Sequence, residues 1–110
     1  MTYRVVILAR ARHDVQEKYD WIAADSPEGA DRWLERFEQA METLRTNPFV
    51  APIAPESKSF DIELRQVLFR TRYGRPYRAI FAVIDDEVRI LRVRGAGQPP
   101  LKPKDISMNG

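Results

Sequence analysis

A chain of 110 residues with 44% hydrophobic and 31% charged residues has the composition of one folded domain, and no apolar run approaches the roughly 20 residues that a membrane span requires. It contains no cysteine and one histidine, which excludes disulfides, thiol nucleophiles and metal sites built from cysteine or several histidines. No secretory leader is recognisable at its start, so we expect a cytoplasmic protein. We also expect it to hold no metal and no cofactor.

The net charge of +2 conceals an uneven distribution along the chain. Residues 1–64 carry 8 basic and 12 acidic side chains, whereas residues 65–104 carry 10 basic and 3 acidic ones. Eight of those ten cations are arginine, whose planar guanidinium pairs with phosphates and carboxylates. The second half therefore indicates a surface for nucleic acid or an acidic protein segment, with a solvated sheet face as the alternative.

The N-terminal segment predicts a strand and then a helix. Residues 3–9, YRVVILA, are β-branched and almost wholly apolar, which is typical of a strand covered on both faces. Between about residues 12 and 24, Val15, Tyr19 and Ile22 recur four and three residues apart, the stripe of an amphipathic helix.

A second helix is predicted to begin at Ser26-Pro27, because serine caps helices and proline suits the first helical position. Its apolar stripe comprises Ala30, Leu34, Phe37, Met41 and Leu44. Asn47-Pro48 ends it, and the short connection to the first helix predicts an αα-hairpin. We interpret the aromatic residues of both helices, Trp21, Trp33 and Phe37, as core residues.

The C-terminal half predicts an irregular crossing over residues 47–62 and then strands at 63–70, 77–84 and 87–94. Their short connections predict two antiparallel hairpins. The expected fold class is α+β, a single domain in the order βααβββ with the αα-hairpin packed on a small antiparallel sheet. We place the domain at residues 1–101 and expect a flexible tail at residues 102–110.

Alternation along the last predicted strand assigns its side chains to two faces. It places Arg92 and Arg94 on the same face as Val88 and Ile90, and Arg89, Leu91 and Val93 on the opposite face. Depending on the strand register, Arg65, Arg72, Arg75 and Arg78 join Arg92 and Arg94 in one concave basic patch.

The order βααβββ, the helix DSPEGADRWLERFEQAMETL and the hairpin YRAIFAVIDDEVRILRV together resemble the RelE/ParE superfamily of bacterial type II toxin-antitoxin toxins. The resemblance covers about residues 3–101 and is closer to the ParE-like members. It implies a plasmid-stabilisation toxin that a cognate antitoxin neutralises in a hetero-oligomer. ParE-like members act against DNA gyrase, whereas RelE-like members are endoribonucleases that cut messenger RNA inside the ribosome.

The residues that the cleaving members use are matched only in part. Their strand arginine falls on Arg78, and Arg94 is the nearest match to their second cation. Their C-terminal tyrosine has no counterpart after Gly97, so Tyr73 or Tyr77 would have to replace it. Arginine keeps its proton at neutral pH because its pKa lies far above 7, so it does not readily act as a base. If the chain is a ribonuclease, we expect Arg78, Arg94 and Tyr77 to be catalytic; otherwise it is not an enzyme.

The resemblance favours a binding protein that inhibits gyrase. The residues expected to contact the target or the antitoxin are Arg65, Arg72, Arg75, Arg78, Arg92 and Arg94. We expect an acidic, amphipathic antitoxin segment to dock along the helices and the sheet, and GAGQPPLKPK near the C-terminus to contact gyrase. The alternatives are a ribosome-dependent ribonuclease and a relative without toxicity, such as an RNA-binding module.

Overall fold

A computed structural model describes residues 1–108 and contains two helices and one four-stranded sheet. Its elements follow one another as β1 (Arg4–Ile7), α1 (Ala9–Asp25), α2 (Pro27–Leu44), β2 (Arg65–Phe69), β3 (Tyr77–Ile84) and β4 (Glu87–Gly95). Short 3-10 turns occupy Pro48–Val50, Pro55–Ser59 and Pro103–Asp105. The predicted α+β class is therefore confirmed.

The boundary between the helices lies where the sequence predicts it. The N–H of Ser26 donates to the carbonyl of Ile22 at the end of α1, and its Oγ accepts from the N–H of Gly29 at 3.0 Å in α2. Pro27 occupies the first position of α2, where no backbone donor is required. One residue thus ends α1 and caps α2. The first helix begins at Ala9, three residues earlier than predicted.

The strand order is β1-β4-β3-β2, and the prediction of a wholly antiparallel sheet is wrong. The pairs β2–β3 and β3–β4 are antiparallel, but β1 lies parallel to β4 at the edge of the sheet. Only a tight turn forces antiparallel pairing, whereas β1 reaches the sheet through a long connection that contains both helices. β1 is half-buried, as befits an edge strand, and it packs on both sides: Val5 and Ile7 against the helix-side cluster and Val6 against the cluster on the opposite face.

Two apolar clusters cover the two faces of the sheet. On the helix side, Phe81 and Val93 of the sheet pack with Trp33 and Phe37 of α2. On the opposite side, which we call the second face, the buried residues are Leu8, Ala54, Leu64, Ile80, Ala82, Leu91 and Leu101. Both faces are therefore occupied, the first by the hairpin of helices and the second by irregular chain.

The prediction that Trp21 belongs to the core is wrong. Trp33 and Phe37 are buried, as predicted, but the side chain of Trp21 is 75% exposed. Position 21 is about 200° around the helix from Tyr19, so it lies outside the stripe that packs on the sheet.

A β-bulge in β4 overturns the predicted assignment of its faces. Ile80 lies opposite Arg92, but its neighbour Phe81 lies opposite Ile90, so Leu91 is an extra residue in the ladder. The bulge reverses the alternation from that point. Arg92 therefore lies on the second face with Leu91, and not on the face of Ile90. Arg94 likewise lies on the second face, and not on the face of Val88.

The segment that follows β4 lies against the second face. Leu101 is buried there, and Ile106 and Met108 pack on the same cluster. The arginines Arg89 and Arg92 of β4 donate to the carbonyls of Met108 and Asp105. The domain boundary at residue 101 and the flexibility of residues 102–110 stay predictions, and residues 109–110 lie outside the described part of the chain.

Candidate functional site

Arg78 of β3 is held in a buried ion pair with Glu56. Its two terminal nitrogens donate to the two carboxylate oxygens at 2.7 and 2.5 Å, and Nη1 also donates to Gln66 Oε1 at 3.0 Å. The carboxylate of Glu56 also accepts from the N–H of Leu101 at 3.0 Å. Burial acts to raise the pKa of Glu56, but these hydrogen bonds prevail and lower it to about 2. Glu56 is therefore ionised at neutral pH and neutralises Arg78.

Arg92 has a similar arrangement with Asp14 of α1. Its Nε and Nη2 donate to the carboxylate at 2.7 and 3.0 Å, and its Nη1 donates to the carbonyl of Asp105 at 2.8 Å. Asp14 is buried and also accepts from the N–H of Val93 at 2.9 Å. The hydrogen bonds from Arg92 to Asp14 raise the pKa of the guanidinium. Arg92 thus joins α1, β4 and the C-terminal segment.

Arg65 anchors the irregular segment that precedes β2. Its Nη1 donates to the carbonyls of Ala51 and Phe49 at 2.6 and 3.1 Å, and its Nε donates to Glu63 at 2.9 Å. The guanidinium carbon also lies 5.4 Å from the centre of the Phe49 ring. These contacts give Arg65 a structural role.

Arg94 lies opposite Arg78 in the ladder and is only partly engaged. Its Nη2 donates to the carbonyl of Pro99 at 2.6 Å. Within residues 1–108, its Nε is one of two buried side-chain nitrogens that lack a hydrogen-bond partner. Burial and the nearby charge of Arg92 lower its pKa.

Arg72 and Arg75 lie in the loop between β2 and β3, and both are exposed. The guanidinium carbon of Arg72 lies 5.2 Å from the centre of the Tyr73 ring. These two arginines are separated from the buried pairs of the second face. The six predicted residues therefore do not form one patch of free cations, and their roles in binding stay predictions.

The residues that a ribonuclease would use lie on opposite sides of the sheet. Tyr77 packs on the helix side, with its ring 5.3 Å from Trp33 and 6.0 Å from Phe69 between ring centres. Burial raises the pKa of its hydroxyl. Arg78 and Arg94 lie on the second face, so the three groups do not converge on one position.

The sequence analysis missed the two acids that pair with these arginines. Asp14 lies three residues after the buried Ala11 on α1, a spacing that places it on the sheet side of the helix. Glu56 has no comparable periodicity, because it belongs to an irregular segment. The excess of acid in residues 1–64 and of arginine in residues 65–104 was the available signal for pairing between the two halves.

The described part of the chain, residues 1–108, shows neither a metal-binding cluster nor a membrane-spanning helix. No group of three or more acidic or histidine side chains there stands close enough to hold a metal ion. No helix in that range is long and apolar enough to cross a membrane.

Comparison with protein families matches the chain to the ParE toxin of the type II toxin-antitoxin system parDE over residues 5–100. No curated protein matches the chain. The matched range runs from β1 to a point beyond the end of β4, and so includes both helices and the whole sheet. A type II toxin has a cognate antitoxin as its partner. The chain therefore belongs to the family of ParE toxins of type II toxin-antitoxin systems.

Proposed function

We propose that this toxin inhibits growth by acting on DNA gyrase in the cytoplasm, that it does so by binding and without catalysis, and that it needs no cofactor. One observation supports this proposal most directly: Tyr77 lies on the opposite face of the sheet from Arg78 and Arg94. The cognate antitoxin neutralises the toxin in a hetero-oligomer.

Cleavage of RNA through its 2′-hydroxyl requires a proton acceptor, a cation that stabilises the charged transition state and a proton donor for the leaving oxygen. Here Arg78 is occupied by Glu56, and the hydroxyl of Tyr77 belongs to a ring packed among Trp33 and Phe69. Inhibition by binding requires none of these three groups. The arrangement therefore favours gyrase over messenger RNA as the target.

The contacts of the toxin are proposed from the arginines that remain accessible. Arg72, Arg75 and the partly engaged Arg94 are available to a partner, and residues 96–100 next to Arg94 are exposed. We assign these positions and the GAGQPPLKPK segment to gyrase. An acidic, amphipathic antitoxin segment docks along the helices and the sheet and covers part of the same surface.

The order in which DNA and protein synthesis stop tests the target. After induction of the chain without its antitoxin, pulses of labelled thymidine and labelled methionine are given to the same culture at intervals of minutes. Inhibition of gyrase predicts that DNA synthesis falls first. If protein synthesis stops first and transcripts carry codon-phased cuts, the chain is a ribosome-dependent ribonuclease. If growth is unaffected, it is a relative without toxicity.

Supercoiling by purified gyrase tests the contacts. The wild-type chain is expected to inhibit supercoiling, and the double substitution Arg72→Ala and Arg75→Ala to weaken inhibition at least about 10-fold, if each lost contact is worth about 1 kcal/mol or more. The matched control is Arg4→Ala with Arg45→Ala, which removes the same charge from exposed positions elsewhere. Equal losses in both double variants would contradict the assignment.

A further inference from the structure

An open groove of about 670 Å³ lies between α2 and the loop that joins β2 to β3. Arg32 and Arg36 of α2 line one side, and Arg72 and Tyr73 of the loop line the other. The groove lies beside the helices, away from the buried arginine pairs of the second face. Its cationic side chains on α2 take no part in the function proposed above.

The arginines of this groove differ from those of the sheet because they have no acidic partner. Arg32 and Arg36 are exposed and stand one helical turn apart on the same side of α2. The side chains of Arg32, Arg36 and Arg72 make no ion pair and no hydrogen bond with any residue in the range 1–108. Among residues 1–108, Glu35 is the one acid that lines the groove. Three arginines against one carboxylate leave a net positive charge there.

Tyr73 stands in the groove as an exposed aromatic surface. Its side chain is 89% exposed, and the only ring contact it makes within the described chain is with the guanidinium of Arg72. A tight turn holds it there, because the N–H of Gly74 donates to the carbonyl of Thr71 at 3.1 Å. A Cβ at position 74 would collide with Thr71 Oγ1, so a larger residue there would require the Thr71 side chain to rotate.

We infer that this groove binds single-stranded nucleic acid, with its phosphates paired to Arg32, Arg36 and Arg72 and one base stacked on Tyr73. Arginine pairs bidentately with phosphate, and an exposed aromatic ring stacks on any base. An acidic peptide would match the charge but needs apolar anchors for affinity. Within residues 1–108 no aliphatic residue lines the groove to serve as such an anchor, since the lining consists of charged and polar residues, Tyr73 and Gly74.

The inference goes beyond the proposed function, because inhibition of gyrase and neutralisation by an antitoxin both occur without it. Its test uses the purified full-length chain and a synthetic oligonucleotide, with neither gyrase nor antitoxin present. An absence of binding would overturn this inference alone and leave the gyrase proposal in place.

Fluorescence anisotropy of a labelled 16-nucleotide oligothymidylate measures the binding. We expect a dissociation constant of about 1 to 100 µM at moderate salt, and a log-log salt slope of about −2 for three neutralised phosphates on a single strand. The triple substitution of Arg32, Arg36 and Arg72 by alanine is expected to weaken binding at least about 10-fold and to flatten the slope. Glu35→Gln removes the opposing charge and is expected to strengthen binding.

A matched triple variant separates the groove from net charge. Arg4→Ala, Arg45→Ala and Lys58→Ala remove the same three charges from exposed positions outside the groove. We expect this variant to bind within 2-fold of the wild type. An equal loss in both triple variants, at unchanged melting temperature, would show non-specific attraction and overturn the inference.

Substitutions of Tyr73 test whether a base stacks on its ring. Tyr73→Ala is expected to weaken single-strand binding about 5- to 100-fold, and Tyr73→Phe to retain it, because stacking needs only the ring. A 16-base-pair duplex offers no unpaired base, so Tyr73→Ala should change duplex binding less than 2-fold. If Tyr73→Ala has no effect on the single strand, or if a polyglutamate peptide binds more tightly than the oligonucleotide, the groove is not a nucleic acid site.

Discussion

Glu56 lies in the short turn Pro55–Ser59, and its carboxylate accepts hydrogen bonds from Arg78 in β3 and from the N–H of Leu101. It therefore connects the irregular segment, the sheet and the C-terminal segment. Its side chain is fully buried, and that of Arg78 is 18% exposed. Removal of one partner from such a pair leaves the other charge buried without compensation, which costs about 3–5 kcal/mol.

Arg78→Ala is therefore expected to lower the free energy of unfolding by about 3 kcal/mol, at the lower end of that range because Arg78 retains some exposure. Urea unfolding of the purified chain measures the change. Arg75→Ala, three residues earlier in an exposed loop, is the control and should change stability by less than about 0.5 kcal/mol. Similar effects of the two substitutions would contradict a structural role for Arg78.

The same carboxylate predicts how stability depends on pH. The pKa of Glu56 is about 2 in the folded chain, below its ordinary value of 4.5, so the unfolded chain binds the proton more readily. Its contribution to stability is present above pH 4.5 and is lost as the pH falls from 4.5 towards 2. Unfolding of the wild type therefore takes up as much as one extra proton in that pH range. Glu56→Gln removes this uptake, so its free energy of unfolding should depend less on pH between 4.5 and 2. An unchanged pH profile in Glu56→Gln would contradict this assignment.

The sequence predicts those boundaries of helices and strands that neighbouring residues determine. Ser26 and Pro27 specify the junction of the helices within a few residues, and β4 extends only one residue beyond its predicted end. The bulge at Leu91 depends on how β4 pairs with β3, and the parallel pairing of β1 depends on contacts with a strand distant in sequence; periodicity records neither. The failure to place Arg92 and Arg94 correctly follows from that single extra residue.

The C-terminal segment is attached to the sheet mainly through its backbone. Four arginines donate to its carbonyl oxygens: Arg94 to Pro99, Arg10 to Lys104, Arg92 to Asp105 and Arg89 to Met108. Hydrogen bonds to carbonyls do not depend on the side chains of the segment. The buried side chain of Leu101 is therefore its main sequence-dependent anchor.

Leu101→Ala should cost about 2–3 kcal/mol of unfolding free energy, because it removes a buried side chain and leaves a cavity against Ile80 and Leu91. Lys102→Ala, the exposed neighbour, is the control. Hydrogen exchange locates the effect, and the amide of Leu101, which donates to Glu56, should lose protection before those of β3. Equal stability of the two variants would show that Leu101 does not anchor the segment.

For the whole molecule, the uneven distribution of charge along the chain has two uses. Arg78 and Arg92 are neutralised by Glu56 and Asp14 from the acidic half, so part of the apparent basic excess is consumed inside the fold. The arginines that stay free, such as Arg72, lie outside the sheet. Counting charges by sequence region indicates that pairing or binding occurs but does not separate one from the other.

Salt separates these two groups of arginines. Screening acts on exposed charges and much less on buried pairs, since the Debye length falls from about 10 Å at 0.1 M to about 3 Å at 1 M. The stability cost of Arg78→Ala should therefore be nearly equal at about 0.05 M and 0.5 M sodium chloride. Arg72→Ala with Arg75→Ala should leave stability unchanged at both concentrations.

The affinity for the antitoxin, unlike the stability of the fold, should depend on salt. If the acidic antitoxin segment pairs with the free arginines, Arg72→Ala with Arg75→Ala weakens antitoxin binding at low salt and has little effect at high salt, because screening has already removed the attraction. Titration calorimetry at the two salt concentrations measures this. A loss of affinity that is independent of salt would mean that the loop contributes packing to the interface. The free arginines would then act through their aliphatic stems and not through their charge.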